Sequence, residues 1–154
     1  MKIILAVVGR MKRGPATELV EEYLKRTRWD VSIKELADAP SNMAADARKS
    51  KEAEALLALL DKESRLIALD SRGTQMTSEA FAARIIKLKT QGVKKLVLAI
   101  GGQDGFEASV LQKASATLAF GAATWPHQLV RVLLAEQVYR AYTIEAGHPY
   151  HLGH

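Results

Sequence analysis

The stretch Lys95-Leu-Val-Leu-Ala-Ile-Gly-Gly-Gln-Asp-Gly105 decides the fold. Its first six residues form a near-continuous apolar run, too short for a helix core and suited to a strand buried on both faces. Its last five form a glycine-rich loop at that strand's carboxyl end. The same grammar recurs on either side. Lys2–Val8 is a second β-rich run, followed by the basic turn Gly9–Gly14. Arg65–Asp70 is a third, read as a central strand. Its sequel, Ser71–Thr74, reads as a turn in which Gly73 supplies unusual backbone dihedrals. Val31–Leu36 alternates apolar and polar residues like a half-exposed strand, and Ala116–Phe120 is a fifth strand.

Helical spacing fills the intervals. Pro15 suits the first position of a helix through Thr27. Lys49–Asp61 and a segment capped by Thr77 and ending near Gly92 are helical, and Glu107–Lys113 is a short helix. Ala37–Ser50, rich in Ala, Asp, Ser and Asn, reads as a loop. Strand and helix alternate throughout, predicting one α/β domain over residues 1–154 with a mainly parallel sheet flanked by helices.

The C-terminal end is distinctive. Trp125 precedes Pro126 and is pushed to an extended conformation, so the last helix begins after it. From Leu129 to Ile144 the helix is apolar on most sides, more than the roughly 100° stripe of a surface helix. Its own sheet and a second copy of the chain are the candidate covers. Glu136 and Arg140 stand in the favoured order for an i,i+4 ion pair. The tail then carries Tyr150 and His151, both able to hydrogen-bond and handle protons, where a terminus is usually disposable.

Composition narrows the chemistry. There is no cysteine, which removes disulfides, thiolate catalysis and Cys-ligated metals together. The four histidines, His127, His148, His151 and His154, have no regular carboxylate spacing, so no metal is expected. No run approaches the roughly 18–20 apolar residues of a membrane span. Met1–Val8 lacks a charged leader and cleavage pattern, so the protein is expected to be cytoplasmic. Twenty-two Lys and Arg against 17 Asp and Glu leave a net charge of +5, which makes a nucleic-acid partner reasonable.

In open α/β sheets ligands bind at the carboxyl ends of strands. Three such ends combine apolar walls with small residues: Leu69–Gly73, Ile100–Gly105 and Phe120–Trp125. Gly101–Gly105 is neither a spaced dinucleotide fingerprint nor a phosphate loop, and Asp104 within it would repel a pyrophosphate. An adenosine ligand without phosphate fits better, and S-adenosylmethionine is one.

Leu98-Ala-Ile-Gly-Gly102, Ala119-Phe120, Thr124-Trp-Pro-His-Gln-Leu-Val-Arg131, Leu134-Ala-Glu-Gln-Val-Tyr-Arg-Ala141 and Pro149-Tyr-His151 carry a further signal. With Ala6-Val-Val-Gly9 and Leu69-Asp70, they make the whole chain resemble the small SPOUT-superfamily methyltransferases that act on N3 of a pseudouridine in bacterial 23S rRNA. One departure is Leu152, where that family usually has a basic residue. The resemblance implies a C-terminal trefoil knot, a homodimer and methyl transfer from S-adenosylmethionine to 23S rRNA in the assembled ribosome. Membrane and DNA are not implied as partners, and no metal is implied. It places Leu69, Gly101, Phe120, Gly121, Ala122, Ala123, Thr124 and Trp125 around the cofactor. It places Arg140, Tyr150 and His151 near the target base, with His151 as proton acceptor. A non-enzymatic ribosome-binding protein and a tRNA-modifying enzyme of the same fold are the alternatives.

Overall fold

The computed structural model describes residues 1–152; the last two residues of the expected domain, including His154, lie outside the described residues. The elements run β1 (Lys2–Val8), α1 (Pro15–Arg26), β2 (Val31–Leu36), α2 (Ala45–Leu57) and β3 (Ser64–Gln75). They continue with α3 (Ser78–Thr90), β4 (Lys95–Ile100), α4 (Ala108–Lys113), β5 (Ala116–Ala119) and α5 (His127–Ala146), and Pro149–His151 closes with a 3-10 turn. The five strands form one sheet in the order β2-β1-β4-β3-β5. Every pairing is parallel. The middle strand is β4, and the Arg65–Asp70 strand lies inside the sheet beside it, as expected of a central strand.

The apolar runs of β1 and β4 are buried on both faces, as a parallel sheet between helices requires. Alternate residues point to opposite sides. Ile3, Leu5, Val7, Leu96, Leu98 and Ile100 face a core completed by Val20 of α1, Ile85 of α3 and Leu134 and Val138 of α5. Ile4, Ala6, Val8, Val97 and Ala99 face a second core closed by Ala53 and Leu56 of α2 and Val110 of α4.

Three local expectations are corrected. Residues 45–50, read as loop, are the first turns of α2. Alanine at positions 44, 45 and 47 favours helix. Arg48 also fixes the preceding segment by donating to the carbonyls of Ser41 and Met43. The Ser71–Thr74 turn is an excursion inside a longer β3: Leu69 and Thr74 both lie opposite Leu118, so the intervening residues bulge out and the strand then resumes. Gly73 has no positive φ. It is glycine because a Cβ there would lie 2.8 Å from the Leu118 nitrogen and the Thr117 carbonyl carbon. Third, besides the sheet expected to cover α5, two helices of its own chain that were not foreseen cover much of its apolar surface. The helix packs against α1 and α3, and Leu134, Ala135, Val138 and Ala141 are fully buried. Leu129 and Trp125 remain exposed, as does Leu19 of α1.

Candidate active site

A cavity of about 480 Å³ opens at the carboxyl ends of β3, β4 and β5. Its volume lies in the range of small-molecule sites. All three loops singled out in the sequence meet there. From β3 come Leu69, Asp70, Ser71 and Arg72; from β4, Ile100 and the whole of Gly101–Gly105; from β5, Phe120, Gly121, Ala123, Thr124 and Trp125. Of the eight residues expected around a cofactor, only Ala122 does not line it; it is exposed on the outside of its loop.

Each wall is held by its own sequence. In the β3 excursion the Asp70 carboxylate accepts from the Arg72 backbone N–H at 2.8 Å and from the Arg72 guanidinium at 3.0 and 3.1 Å. That guanidinium holds the Asp70 carboxyl below the usual carboxylate range. In the β4 loop the Gly105 N–H donates to the Gly102 carbonyl at 3.0 Å, and Gly105 takes the left-handed φ of 78° that closes the turn. The third wall is closed by the Trp125 indole N–H, which donates to the Phe120 carbonyl at 3.0 Å.

Asp104 does not present a bare charge to the cavity. The Arg48 guanidinium grips it in a forked pair, Nε to Oδ2 at 2.8 Å and Nη2 to Oδ1 at 3.0 Å. This pairing keeps the Asp104 carboxyl low and is the bidentate geometry arginine is built for. The expected repulsion of a pyrophosphate by Asp104 is therefore largely neutralised, and what still speaks against phosphate is that the loop is neither a spaced dinucleotide fingerprint nor a phosphate loop. Arg48 escaped the sequence reading because it lies in the segment taken as loop. Lys49, His127 and Val130 also line the cavity, although the sequence reading did not place them around a ligand.

Arg140, Tyr150 and His151 form a second cluster. None of them lines the cavity of its own chain. His127 stands at the cavity and Arg140 follows thirteen residues later on α5, about 20 Å along the helix. Arg140 donates through Nε to Glu136 Oε1 at 2.9 Å, the expected i,i+4 pair, and Glu136 raises its pKa. The Tyr150 hydroxyl donates to the same Glu136 oxygen at 3.1 Å. Burial of that hydroxyl, with Tyr23 and Glu136 beside it, pushes Tyr150 well above an ordinary phenol. The Tyr150 ring stands edge-on to Tyr139, 4.6 Å between centroids. Arg26 lies 4.5 Å over Tyr139 and 5.3 Å over Tyr150, and donates to the Tyr139 hydroxyl at 3.1 Å.

The tail is therefore docked on the helix, at a place where a terminus is usually disposable. Gly147, at a left-handed φ of 67°, ends α5 and turns the chain back on the helix. His151 stands beside this cage with Nδ1 buried and without a hydrogen-bond partner. Arg26, Tyr23 and Tyr139 come from α1 and the middle of α5, and no spacing in the sequence links them to the tail. Arg131 is buried and serves the fold. Its Nη2 donates to the carbonyls of Val8 at 2.9 Å and Gly9 at 3.3 Å.

Comparison with known proteins gives one consistent result. The family described as Predicted SPOUT methyltransferase matches residues 1–151. A protein of Rhodospirillum centenum called ribosomal RNA large subunit methyltransferase H is 46% identical over 151 residues, covering 98% of this chain and 99% of that protein. Proteins of the same name from Brucella anthropi and Nitrobacter hamburgensis are each 43% identical. They cover 98% and 99% of this chain, and 99% and 100% of their own lengths.

Proposed function

This chain belongs to the SPOUT methyltransferase family, and on that premise we propose that it methylates N3 of a pseudouridine in 23S rRNA, on the assembled ribosome, as a cytoplasmic homodimer using S-adenosylmethionine. The cavity at the ends of β3, β4 and β5 is the observation that carries this reading. Its walls fit an adenosine-bearing ligand. Gly101 has no side chain to intrude, and a Cβ there would already touch the Phe106 ring at 3.3 Å. Leu69, Ile100, Leu118 and Phe120 give apolar walls beside loop backbone. The family's trefoil knot belongs to this proposal, with α5 as its tucked element.

When bound, S-adenosylmethionine would supply an electrophilic methyl group on a sulfonium, with a neutral thioether leaving with the electrons of the broken C–S bond. Leu69, Gly101 and Phe120–Trp125 would hold it. The attacking imide nitrogen must lose its proton as the N–C bond forms. His151, its Nδ1 unpartnered, is the group to receive that proton. Arg140 and Tyr150 orient the base beside it, and the Glu136 carboxylate fixes both.

The separation of this cluster from its own cavity favours a composite site. The tail of one protomer would complete the cavity of its partner. Mixing a His151→Ala protomer with a Gly101→Val protomer tests this: the hybrid dimer should regain one working site. Confirmed hybrids without activity would mean that each site is built from one chain. The reaction itself is tested by calorimetry with S-adenosylmethionine and by mass-spectrometric mapping of the methylated nucleotide in ribosomes from a deletion strain. Methylation restored to a tRNA instead of 23S rRNA would refute the substrate.

A further inference from the structure

Two side chains one helical turn apart on α2 reach the back of the Gly101–Gly105 loop. Arg48 grips Asp104, as described. The other is Glu52, only 7% exposed, with the Ala39 backbone N–H favouring its ionised form. Its Oε2 is buried and has no hydrogen-bond partner. A Cβ on Gly102 would lie 2.7 Å from that oxygen and 3.0 Å from Oε1. The Glu52 carboxyl thus fills the space a side chain at position 102 would need. It approaches the loop from behind, through a pinched space shared with Ala53, Leu56, Phe106 and Val110.

A core residue has no need of this chemistry. An apolar side chain of similar size would pack beside Ala53 and Leu56. A buried, half-satisfied carboxyl instead destabilises the fold. Asp38 and Asp104 add repulsion, and burial holds the Glu52 carboxyl above the ordinary range. Apart from the Ala39 N–H, what this carboxyl faces is Gly102 in the cavity wall, whose missing side chain leaves the space it fills.

We propose that Glu52 is a positioning residue for the cofactor, setting the Gly101–Gly105 loop through its contact with Gly102. The proposal rests on reading the cavity as the S-adenosylmethionine site. Arg48 anchors one end of the loop by charge. Glu52 props its middle by shape, and the absence of a Cβ at Gly102 lets the prop touch the backbone directly.

The test is a double-mutant cycle on the full-length protein, with Glu52→Ala, Gly102→Ala and the double variant, plus Glu52→Gln. S-adenosylmethionine affinity is measured by calorimetry and folding by thermal melting. Each single alanine change should weaken binding about tenfold, since a small misplacement of a site is costly. The double variant should lose less than the product of the two, because removing the prop makes room for the added methyl. Glu52→Gln, which keeps the shape, should restore wild-type affinity. Losses that multiply, or a Glu52→Ala protein that binds like wild type, overturn the proposal. A wild-type protein that binds no S-adenosylmethionine refutes the cofactor reading instead. Amide exchange in the ligand-free protein then decides about Glu52. Faster exchange across Gly101–Gly105 in Glu52→Ala, with β4 unchanged, supports the prop, and unchanged exchange overturns it.

Discussion

Deleting residues 149–154 should destabilise the protein as well as inactivate it, whereas His151→Ala should only inactivate it. The deletion removes an edge-on contact of 4.6 Å between Tyr150 and Tyr139, worth about 0.5–1.5 kcal/mol. It also removes the 3.1 Å hydrogen bond from the Tyr150 hydroxyl to the Glu136 carboxylate. Bonds to charged groups contribute about 1.5–3 kcal/mol when buried, and half-exposure reduces this. Ordering the tail opposes both, so a net loss of about 2 kcal/mol is expected. For a chain of this length each kcal/mol moves the melting point by about 2–4 °C, so the deletion should melt about 4–8 °C lower. The His151 imidazole makes no hydrogen bond through its buried Nδ1. Its replacement should leave the melting point unchanged and lower turnover about 10²–10⁴-fold, the range for a general base. Differential scanning calorimetry and a methyl-transfer assay on both variants settle the matter. A deletion that melts with the intact chain would refute the docked tail, and undiminished turnover in His151→Ala would refute its role.

Gly101→Val should leave a folded protein with no measurable S-adenosylmethionine binding by calorimetry, because its branches add to a Cβ already 3.3 Å from Phe106. Leu133→Asp should dissociate the proposed homodimer in light scattering while the monomer stays folded, since Leu133 is only half-buried in its own chain. Val138→Asp, at a fully buried position, should instead abolish folding. Asp61 is held down to about 2 by Lys95, so the pair stabilises the fold above the ordinary carboxylate range and loses that effect as pH falls from about 4 towards 2. Lys95→Met should move the Asp61 titration, followed by carboxyl NMR, up towards the ordinary range, with the Ser64 and Glu63 bonds still holding it down in part; an unmoved titration refutes the pairing.

The interior strands were legible because a strand buried on both faces has to be apolar at every position, as β1 and β4 are. The cavity followed from the same logic, since small residues cluster where strands of an α/β sheet end. What escaped depended on partners distant in sequence. Gly73 is dictated by the backbone of β5, more than forty residues away, so a local reading mistook close approach for unusual dihedrals. The start of α2 is fixed partly by Arg48, which also grips Asp104 fifty-six positions on. The tail read as free because Tyr23, Arg26 and Tyr139, which enclose it, carry no shared spacing. The apolar excess of α5 was real, but α1 and α3 account for most of it, leaving a smaller exposed remnant around Leu129.

The bond from Arg131 to the end of β1 joins residues 123 positions apart, and this dictates an order of events during synthesis. The first strand to leave the ribosome lies between β2 and β4, so its hydrogen bonding is incomplete until residue 100 has emerged. Its apolar face is then covered only in part, by α1 and α3, until α5, the last long element, arrives. At about 5–20 residues per second, several seconds pass with the core around Ile3, Leu5 and Val7 incomplete. A nascent chain arrested before residue 127 should therefore be a chaperone client. Release from the chaperone should coincide with the emergence of α5.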